Sequence, residues 1–199
     1  ARKVFEQLTT LAKDHSNNQE MQLALVKAAV NWLSGLSENP ADFKEARKVF
    51  EQSTTLAKDH PKNQEMQLEL AKGAFNWLNG LRKNPANFKE ARTVFAQLQT
   101  LAKTNPDNND IQLTLAKGAF NWFDGLNKNP DEKYTPDRKQ ALTASITALE
   151  RLEQQVVYFE PPFLQELLGV LEVLEQIKSL AEPVQKIRQA IKLHSLKKS

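Results

Sequence analysis

The chain of 199 residues contains no cysteine. This absence excludes a disulfide framework, a thiol nucleophile and any cysteine-ligated zinc site. Long apolar runs are missing as well, because no segment approaches the ~20 apolar residues that a membrane-spanning helix requires. The N-terminal segment ARKVFEQL lacks the uninterrupted apolar core of a signal peptide. We therefore expect a cytoplasmic chain without membrane association.

Glycine and proline are scarce, with 6 and 9 residues respectively, and the prolines fall between segments of helical apolar periodicity. No useful stretch alternates polar and β-branched apolar residues as a half-buried strand would. The hydrophobic fraction of 40% is sufficient for a sizeable core. The sequence therefore predicts an all-α fold.

An excess of one charge sign is also lacking, because 27 basic and 24 acidic residues are interleaved and the net charge is only +3. Proteins that bind nucleic acid usually concentrate Lys and Arg on one face. Only the C-terminal segment is basic without acidic residues, at Lys186, Arg188, Lys192, Lys197 and Lys198. We interpret this segment as a solvated helix end and expect no nucleic-acid partner.

The strongest feature that is present is a repeat of 45 residues. Residues 1–45 and 46–90 align without a gap and are identical at 34 of 45 positions, and a third copy occupies 91–135. Such periods are typical of stacked repeat proteins, in which each unit packs against its neighbours. We expect three helical-hairpin repeats followed by a divergent region, 136–199, that forms a fourth hairpin and a capping helix. In this region Thr135-Pro136 is expected to begin one helix, the run 163–180 to form a second, and Pro183 to begin the last.

Each repeat predicts two helices joined by a polar turn. Asn39-Pro40 combines an N-cap residue with proline at the first helical position, and so begins helix A. The turn 59–63 ends helix A, and helix B follows over Gln64–Leu81. With the divergent region included, the periodicity predicts about seven to nine helices.

The spacing of aromatic and small residues resembles the tetratricopeptide repeat. In helix A, apolar residues fall three and seven positions after an aromatic residue, and in helix B an aromatic follows an alanine by four. These positions are Phe43, Ala46 and Phe50, then Phe88, Ala91 and Phe95, and in helix B Ala71 with Phe75 and Ala116 with Phe120. The unit departs from the family in being longer than its usual ~34 residues. It also has Arg47 and Arg92 where the family has a small residue.

The resemblance implies a right-handed superhelical solenoid with a helical C-terminal cap. It also implies that helix A residues line a concave surface that binds a protein or peptide. Transferred position by position, the family pattern places ten residues there: Lys3, Gln7, Lys44, Lys48, Gln52, Thr55, Lys89, Thr93, Gln97 and Thr100. We expect a groove of Lys, Gln and Thr to suit an extended peptide that bears carboxylates or free backbone groups.

One octapeptide recurs almost unchanged, as LAKGAFNW at 70–77 and 115–122 and as LVKAAVNW at 25–32. We interpret Trp77 as a packing residue between units, with its indole N–H bonded to a carbonyl or water. Gly73 is expected to permit close approach of another backbone. Lys72 and Asn76 share a helix face and are interpreted as part of a solvated outer stripe, the alternative being a polar ladder for an acidic partner.

Signatures of catalysis are missing from the sequence. There is no HExxH, no glycine-rich phosphate loop and no GxSxG. The histidines are His15, His60 and His194, of which the first two occupy the same turn position of the repeat. We therefore expect no enzymatic activity, no cofactor and no metal site.

Two alternatives to a peptide-binding scaffold stay open. Ala1 aligns with Ala46, so the first copy lacks the Asn-Pro lead-in of the others, and we expect the chain to be a fragment of a longer protein. The repeats could then be a sensor or regulatory array of a multidomain signalling ATPase or other enzyme, in contact with that protein's own domains. Self-association, through the uncapped N-terminal face or the apolar run 163–180, is the second alternative.

Overall fold

The computed structural model describes residues 2–14 and 18–198, and every regular element in these ranges is helical. The described residues form nine α-helices: α1 (Arg2–Asp14), α2 (Gln19–Leu36), α3 (Phe43–Asp59), α4 (Gln64–Leu81), α5 (Phe88–Thr104), α6 (Asn109–Asn127), α7 (Thr135–Gln155), α8 (Pro161–Leu174) and α9 (Ala181–Lys198). Short 3-10 turns precede α3, α5, α7 and α9, and another follows α7. The all-α prediction and the predicted number of helices are confirmed for this part of the chain.

The chain divides into two compact units, residues 1–101 and 102–199. In the first unit α1 packs on α2 and α3 on α4, while α2 contacts both α3 and α4. In the second unit α6 packs most extensively on α7, and α9 contacts α7 and α8. Within the first unit, consecutive helical hairpins therefore share a packed interface, as stacked repeats require.

Asparagine caps fix the start of helix B at the same position in every repeat. The side-chain oxygens of Asn18, Asn63 and Asn108 accept the backbone N–H three residues later, at 3.1, 3.0 and 3.1 Å. Each bond satisfies one of the N–H groups that the first turn leaves without a helical partner. The predicted caps Asn39 and Asn84 also form, but each begins a 3-10 turn, and the α-helix starts only after that turn.

The C-terminal region departs from the predicted elements. The apolar run 163–180, predicted as one helix, belongs to α8 only as far as Leu174, where the buried stripe of that helix ends. A 3-10 turn at Lys178–Leu180 follows. α9 begins at Ala181 rather than at Pro183, since proline is tolerated in the first turn, where its missing N–H costs no helical bond.

Gly80 permits a close approach of α4 to the end of α2, whereas the sequence predicted such a backbone contact at Gly73. A Cβ atom on Gly80 would lie 2.4 Å from the carbonyl oxygen of Ser37, at the C-terminal end of α2. A Cβ atom on Gly73 would instead meet the Val30 side chain at 3.2 Å. The close backbone approach predicted for Gly73 therefore lies about two turns further along α4.

A buried glutamine joins the two helices of each hairpin. The side-chain amides of Gln22, Gln67 and Gln112 donate to the carbonyls of Ala12, Ala57 and Ala102, at 3.0, 2.7 and 2.8 Å. These carbonyls lie near the C-terminal end of helix A, and that of Ala57 also accepts the backbone N–H of the cap residue His60, at 3.2 Å. Our sequence interpretation missed this role, although a polar residue that recurs at one repeat position inside an apolar stripe was a signal for it.

The tryptophans of the recurring octapeptide pack in the core, as predicted. Trp77 is 0% exposed and meets Phe43 edge-on, with ring centroids 4.8 Å apart. Trp32, its equivalent one repeat earlier, is half-buried and lies 5.2 Å from Phe5. Among the described residues no carbonyl accepts the Trp77 indole N–H, and a bond to water stays a prediction. The contacts that hold this ring among the described residues are packing contacts.

The lysines of the octapeptide form ion pairs on the helix surface. Lys27 contacts Glu65 of α4 at 2.5 Å, Lys117 contacts Glu166 of α8, and Lys72 contacts Glu69 of its own helix at 2.7 Å. The hydrogen bond to Glu65 raises the pKa of Lys27. Such exposed pairs contribute little to stability, ~0–1 kcal/mol each. Two of these lysines join neighbouring helices, which agrees with an outer stripe of structural character.

Candidate partner-binding grooves

The first groove is a cavity of about 690 Å³ between α1, α2 and α3. One turn of α1, one turn of α2 and more than two turns of α3 contribute to its lining, because helix A residues three or four apart share a face. The lining residues are Thr9, Ala12, Gln22, Leu25, Lys48, Glu51, Gln52, Thr55 and Leu56. A smaller cavity of about 280 Å³ adjoins it and shares Thr9, Lys48 and Gln52. The walls are mainly apolar, with Gln22 as a buried polar residue, and the exposed residues Lys48, Glu51, Gln52 and Thr55 form the rim.

The second groove is a cavity of about 450 Å³ between α3, α4 and the N-terminal part of α5. It is more polar than the first groove, and Glu51 lies at the edge of both. Its lining residues are Arg47, Phe50, Glu51, Trp77, Ala86, Asn87, Lys89, Glu90, Thr93, Val94 and Gln97. The two grooves therefore lie on successive pairs of A helices in the first unit.

The structure brings six of the ten predicted partner-binding residues into these grooves. Lys48, Gln52 and Thr55 line the first groove. Lys89, Thr93 and Gln97 line the second groove. The other four are Lys3, Gln7, Lys44 and Thr100, which are exposed and lie outside both grooves. Helix A residues thus border both grooves, but four of the ten predicted residues border neither.

The arginine that departs from the tetratricopeptide pattern has a structural role in the second groove. Arg47 donates to both carboxylate oxygens of Glu90 on α5, from Nε at 2.7 Å and from Nη2 at 2.5 Å. This bond raises the pKa of the Arg47 guanidinium. Arg2 approaches Glu45 at 3.8 Å in the preceding repeat. The pair joins successive A helices, and the recurrence of Arg and Glu at fixed repeat positions was the sequence signal that our interpretation did not use.

The groove threonines are hydrogen-bonded in a way that changes which ligands they suit. The hydroxyl of Thr55 donates to the Glu51 carbonyl at 3.0 Å, and that of Thr93 donates to the Lys89 carbonyl at 3.3 Å. A hydroxyl has one proton and two lone pairs, so these two offer acceptors to a ligand. The predicted preference for carboxylates therefore rests on the lysines and on the amide N–H groups of Gln52 and Gln97, and the threonines favour ligand donors.

Three buried polar atoms on the groove walls have no hydrogen-bond partner among the described residues. They are the side-chain oxygen of Gln22 in the first groove, and the Trp77 indole nitrogen and the Gln97 side-chain oxygen in the second. A buried polar group without a partner costs about 1–3 kcal/mol. These atoms are therefore the positions in each groove where a ligand's polar group would gain the most.

The remaining sequence features add no second site in the part of the chain that the structure describes. His60 is the C-terminal cap of α3, and its carbonyl accepts the Gln67 amide at 3.1 Å, which confirms the turn assignment. His15 and the side chain of His194 lie outside the described residues. Within the described ranges, no group of three His, Asp or Glu side chains could hold a metal ion, and no helix is long and apolar enough to cross a membrane.

Comparison of the chain with the sequence profiles of known families, with curated proteins and with solved structures found no match in any of the three.

Proposed function

We propose that this chain is a non-catalytic scaffold that binds a protein or peptide along its A helices, in a tetratricopeptide-like, right-handed superhelical array. The observation that carries the proposal is the first groove, an open cavity of about 690 Å³ bordered by Lys48, Gln52 and Thr55. A fold-level resemblance alone would not indicate function. The cavity adds a surface of the size that ligand pockets have.

The composition of this groove favours an extended peptide as the ligand. Leu25 and Leu56 provide apolar wall, while amide and hydroxyl groups at the rim can pair with a peptide backbone. An extended chain leaves its own N–H and C=O groups without partners, and side chains such as Gln52 can satisfy them. The groove lies between three helices, and its volume of about 690 Å³ is of the size that a peptide side chain with its neighbours can fill.

Peptide display against the purified chain tests this proposal. Peptides that are enriched should bind the unmodified chain in a fluorescence anisotropy assay. They should bind a Thr55→Trp variant at least roughly tenfold more weakly, because an indole at this position fills the first groove. Thr100→Trp is the matched control, since Thr100 occupies the same repeat position on α5, is exposed and lies outside both grooves.

The result that would overturn the proposal is equally specific. If enriched peptides bind the Thr55→Trp and Thr100→Trp variants equally well, the first groove is not the binding surface. If no peptide is enriched over a scrambled-library background, the scaffold function itself is refuted for this segment. Helicity and unfolding midpoint of both variants must match those of the unmodified chain, which their exposure allows.

A further inference from the structure

The third repeat shows what fills the space beside the buried glutamine. In the second unit, Gln112 donates to the carbonyls of Ala102 and Asn105, at 2.8 and 3.0 Å. Its remaining acceptor, the side-chain oxygen, lies 3.3 Å from Nη1 of Arg151, which also donates to the Ala102 carbonyl at 2.9 Å. One guanidinium from α7 therefore completes the hydrogen bonding of this buried glutamine and of the end of the preceding A helix.

The first repeat has the same acceptors but no such guanidinium. Gln22 is 5% exposed, and its amide donates to the Ala12 carbonyl at 3.0 Å. Its side-chain oxygen is buried and has no hydrogen-bond partner among the described residues. Ala12 and Gln22 both line the first groove. They stand two repeats before Ala102 and Gln112, so the lining of the first groove includes the two residues whose counterparts accept from Arg151 in the second unit.

The length of the next A helix explains the difference. The buried Ser53, Thr54 and Ala57 of α3 correspond in order and spacing to the buried Ala144, Ser145 and Ala148 of α7. Arg151 follows three residues after Ala148, inside the last turn of the 21-residue α7. The residue three after Ala57 is His60, where the 17-residue α3 has already ended. The shorter helix thus cannot supply the basic side chain from this position.

We infer that the first groove is a receptor for an arginine side chain of a bound peptide, with the guanidinium donating to the Gln22 side-chain oxygen and the Ala12 carbonyl. This inference deepens the proposed function and rests on it. In the second unit the Ala102 carbonyl accepts both the Gln112 amide and the Arg151 guanidinium, and the Ala12 carbonyl accepts the Gln22 amide in the same way. Arginine fits both acceptors because its donors are held in a planar fork, whereas lysine carries a single point of charge.

The rest of the groove agrees with this ligand. Leu25 and Leu56 line the path that the aliphatic stem of arginine would take, and burial of such a stem against apolar surface is favourable. The Glu51 carboxylate at the rim is attractive to the guanidinium. The Lys48 ammonium stands at the same rim and opposes it, so the site selects one arginine by hydrogen bonding rather than a run of basic residues by charge.

The experiment compares four short peptides that differ only at the central residue, which is arginine, citrulline, lysine or glutamate. Each peptide is titrated into the isotopically labelled chain, and binding is followed by NMR. The arginine peptide is expected to shift the side-chain amide resonance of Gln22. The other three should bind at least roughly tenfold more weakly, since each loses the charge, the fork or both. Lys48→Glu should strengthen arginine binding, while Lys44→Glu, the same charge change outside both grooves, should alter it less.

Gln22→Met tests the acceptor itself, and Gln67→Met is its matched control. Both variants lose the buried bond that joins their hairpin, but only Gln22 lines the first groove. The inference is supported if the affinity for the arginine peptide falls roughly tenfold or more in Gln22→Met and is retained in Gln67→Met. If Gln22→Met does not fold, the four-peptide series with the unmodified chain still tests whether the groove prefers arginine.

Several outcomes would overturn the inference. Equal binding of the arginine and citrulline peptides, or binding that survives Gln22→Met, would remove the guanidinium site but leave a peptide groove. Preference for the glutamate peptide would also remove the guanidinium site and leave a peptide groove, with Lys48 as the anchoring residue. If none of the four peptides binds while display peptides still depend on Thr55, the arginine inference fails and the proposed scaffold function stands. Failure of both experiments refutes both.

Discussion

Substitution of Gly80 by alanine is the sharpest test of how α2 and α4 pack. The Cβ atom of the new residue would lie 2.4 Å from the Ser37 carbonyl oxygen and 2.9 Å from the Ser37 Cβ atom. Both neighbours are fixed by the backbone, so no side-chain rotation can relieve the overlap. Gly35 occupies the same position one repeat earlier, and a Cβ atom there meets no described atom within 4 Å. The two substitutions are chemically identical and differ only in their surroundings.

The expected changes in the free energy of unfolding follow from two opposing effects. Alanine is favoured over glycine in a helix interior by ~0.5–1 kcal/mol, so Gly35→Ala should raise the free energy of unfolding by about that amount. At Gly80 the same gain is opposed by an overpacking cost of ~1–3 kcal/mol, because α4 or the end of α2 must move. Gly80→Ala should therefore lower the free energy of unfolding, and the two variants should differ by roughly 1–3 kcal/mol.

Urea unfolding followed by circular dichroism measures this difference. The midpoint should rise in Gly35→Ala and fall in Gly80→Ala, with little change in the denaturant slope, because neither substitution changes the surface exposed on unfolding appreciably. If both variants shift the midpoint upward by equal amounts, the close approach of Gly80 to Ser37 does not exist in solution. The packing assigned here to the first two hairpins would then be wrong.

Three further predictions concern single side chains. Asn63→Ala should lower the free energy of unfolding by ~1 kcal/mol, since it removes the cap of α4, and Asn63→Ser in the same urea assay should restore most of it. Trp77→Ala should cost ~3–5 kcal/mol and Trp32→Ala distinctly less, because the first ring is fully buried and the second is not; equal costs would contradict the assigned burial. Lys133 donates to Asp131 from its side chain and from its backbone N–H, and these bonds lower the pKa of Asp131. The stability that this carboxylate provides is therefore present above its unfolded-state pKa. It is lost as the pH falls through the lower, folded-state pKa. Asp131→Asn should remove that part of the acid dependence of the unfolding midpoint, and an unchanged pH profile would refute the assignment.

The helical hairpins were predictable because their determinants are local. Apolar spacing defined α4 over Gln64–Leu81 at both ends, and Thr135-Pro136 marked the start of α7. The polar turn after α3 and the asparagine caps require only residues that are neighbours in sequence. The error fell at 163–180, where apolar residues recur on both sides of the point at which α8 ends. Periodicity indicates which residues of such a segment can be buried, but not where the chain turns between two helices.

The grooves were only partly predictable. The position-by-position transfer from the tetratricopeptide pattern selected Lys48, Gln52 and Thr55, which line one cavity; that they bind a partner stays a prediction. It missed Gln22, because a glutamine on helix B gives no local sign that it faces the end of helix A. Lys44 was selected with the same weight as Lys48, although one turn of α3 separates a groove residue from one outside it.

The sequence by itself determined the all-α class, the 45-residue period, the caps and the pairing of two helices in each unit, because these depend on side chains within a few turns of one another. Tertiary structure alone decided which glycine lies at a backbone contact, which glutamine oxygen lacks a partner, and which A helices leave an open groove. Those features depend on distances between helices, and near-identical repeats cannot encode them locally. Gly35 and Gly80, like Gln22 and Gln112, occupy the same repeat positions but have different neighbours.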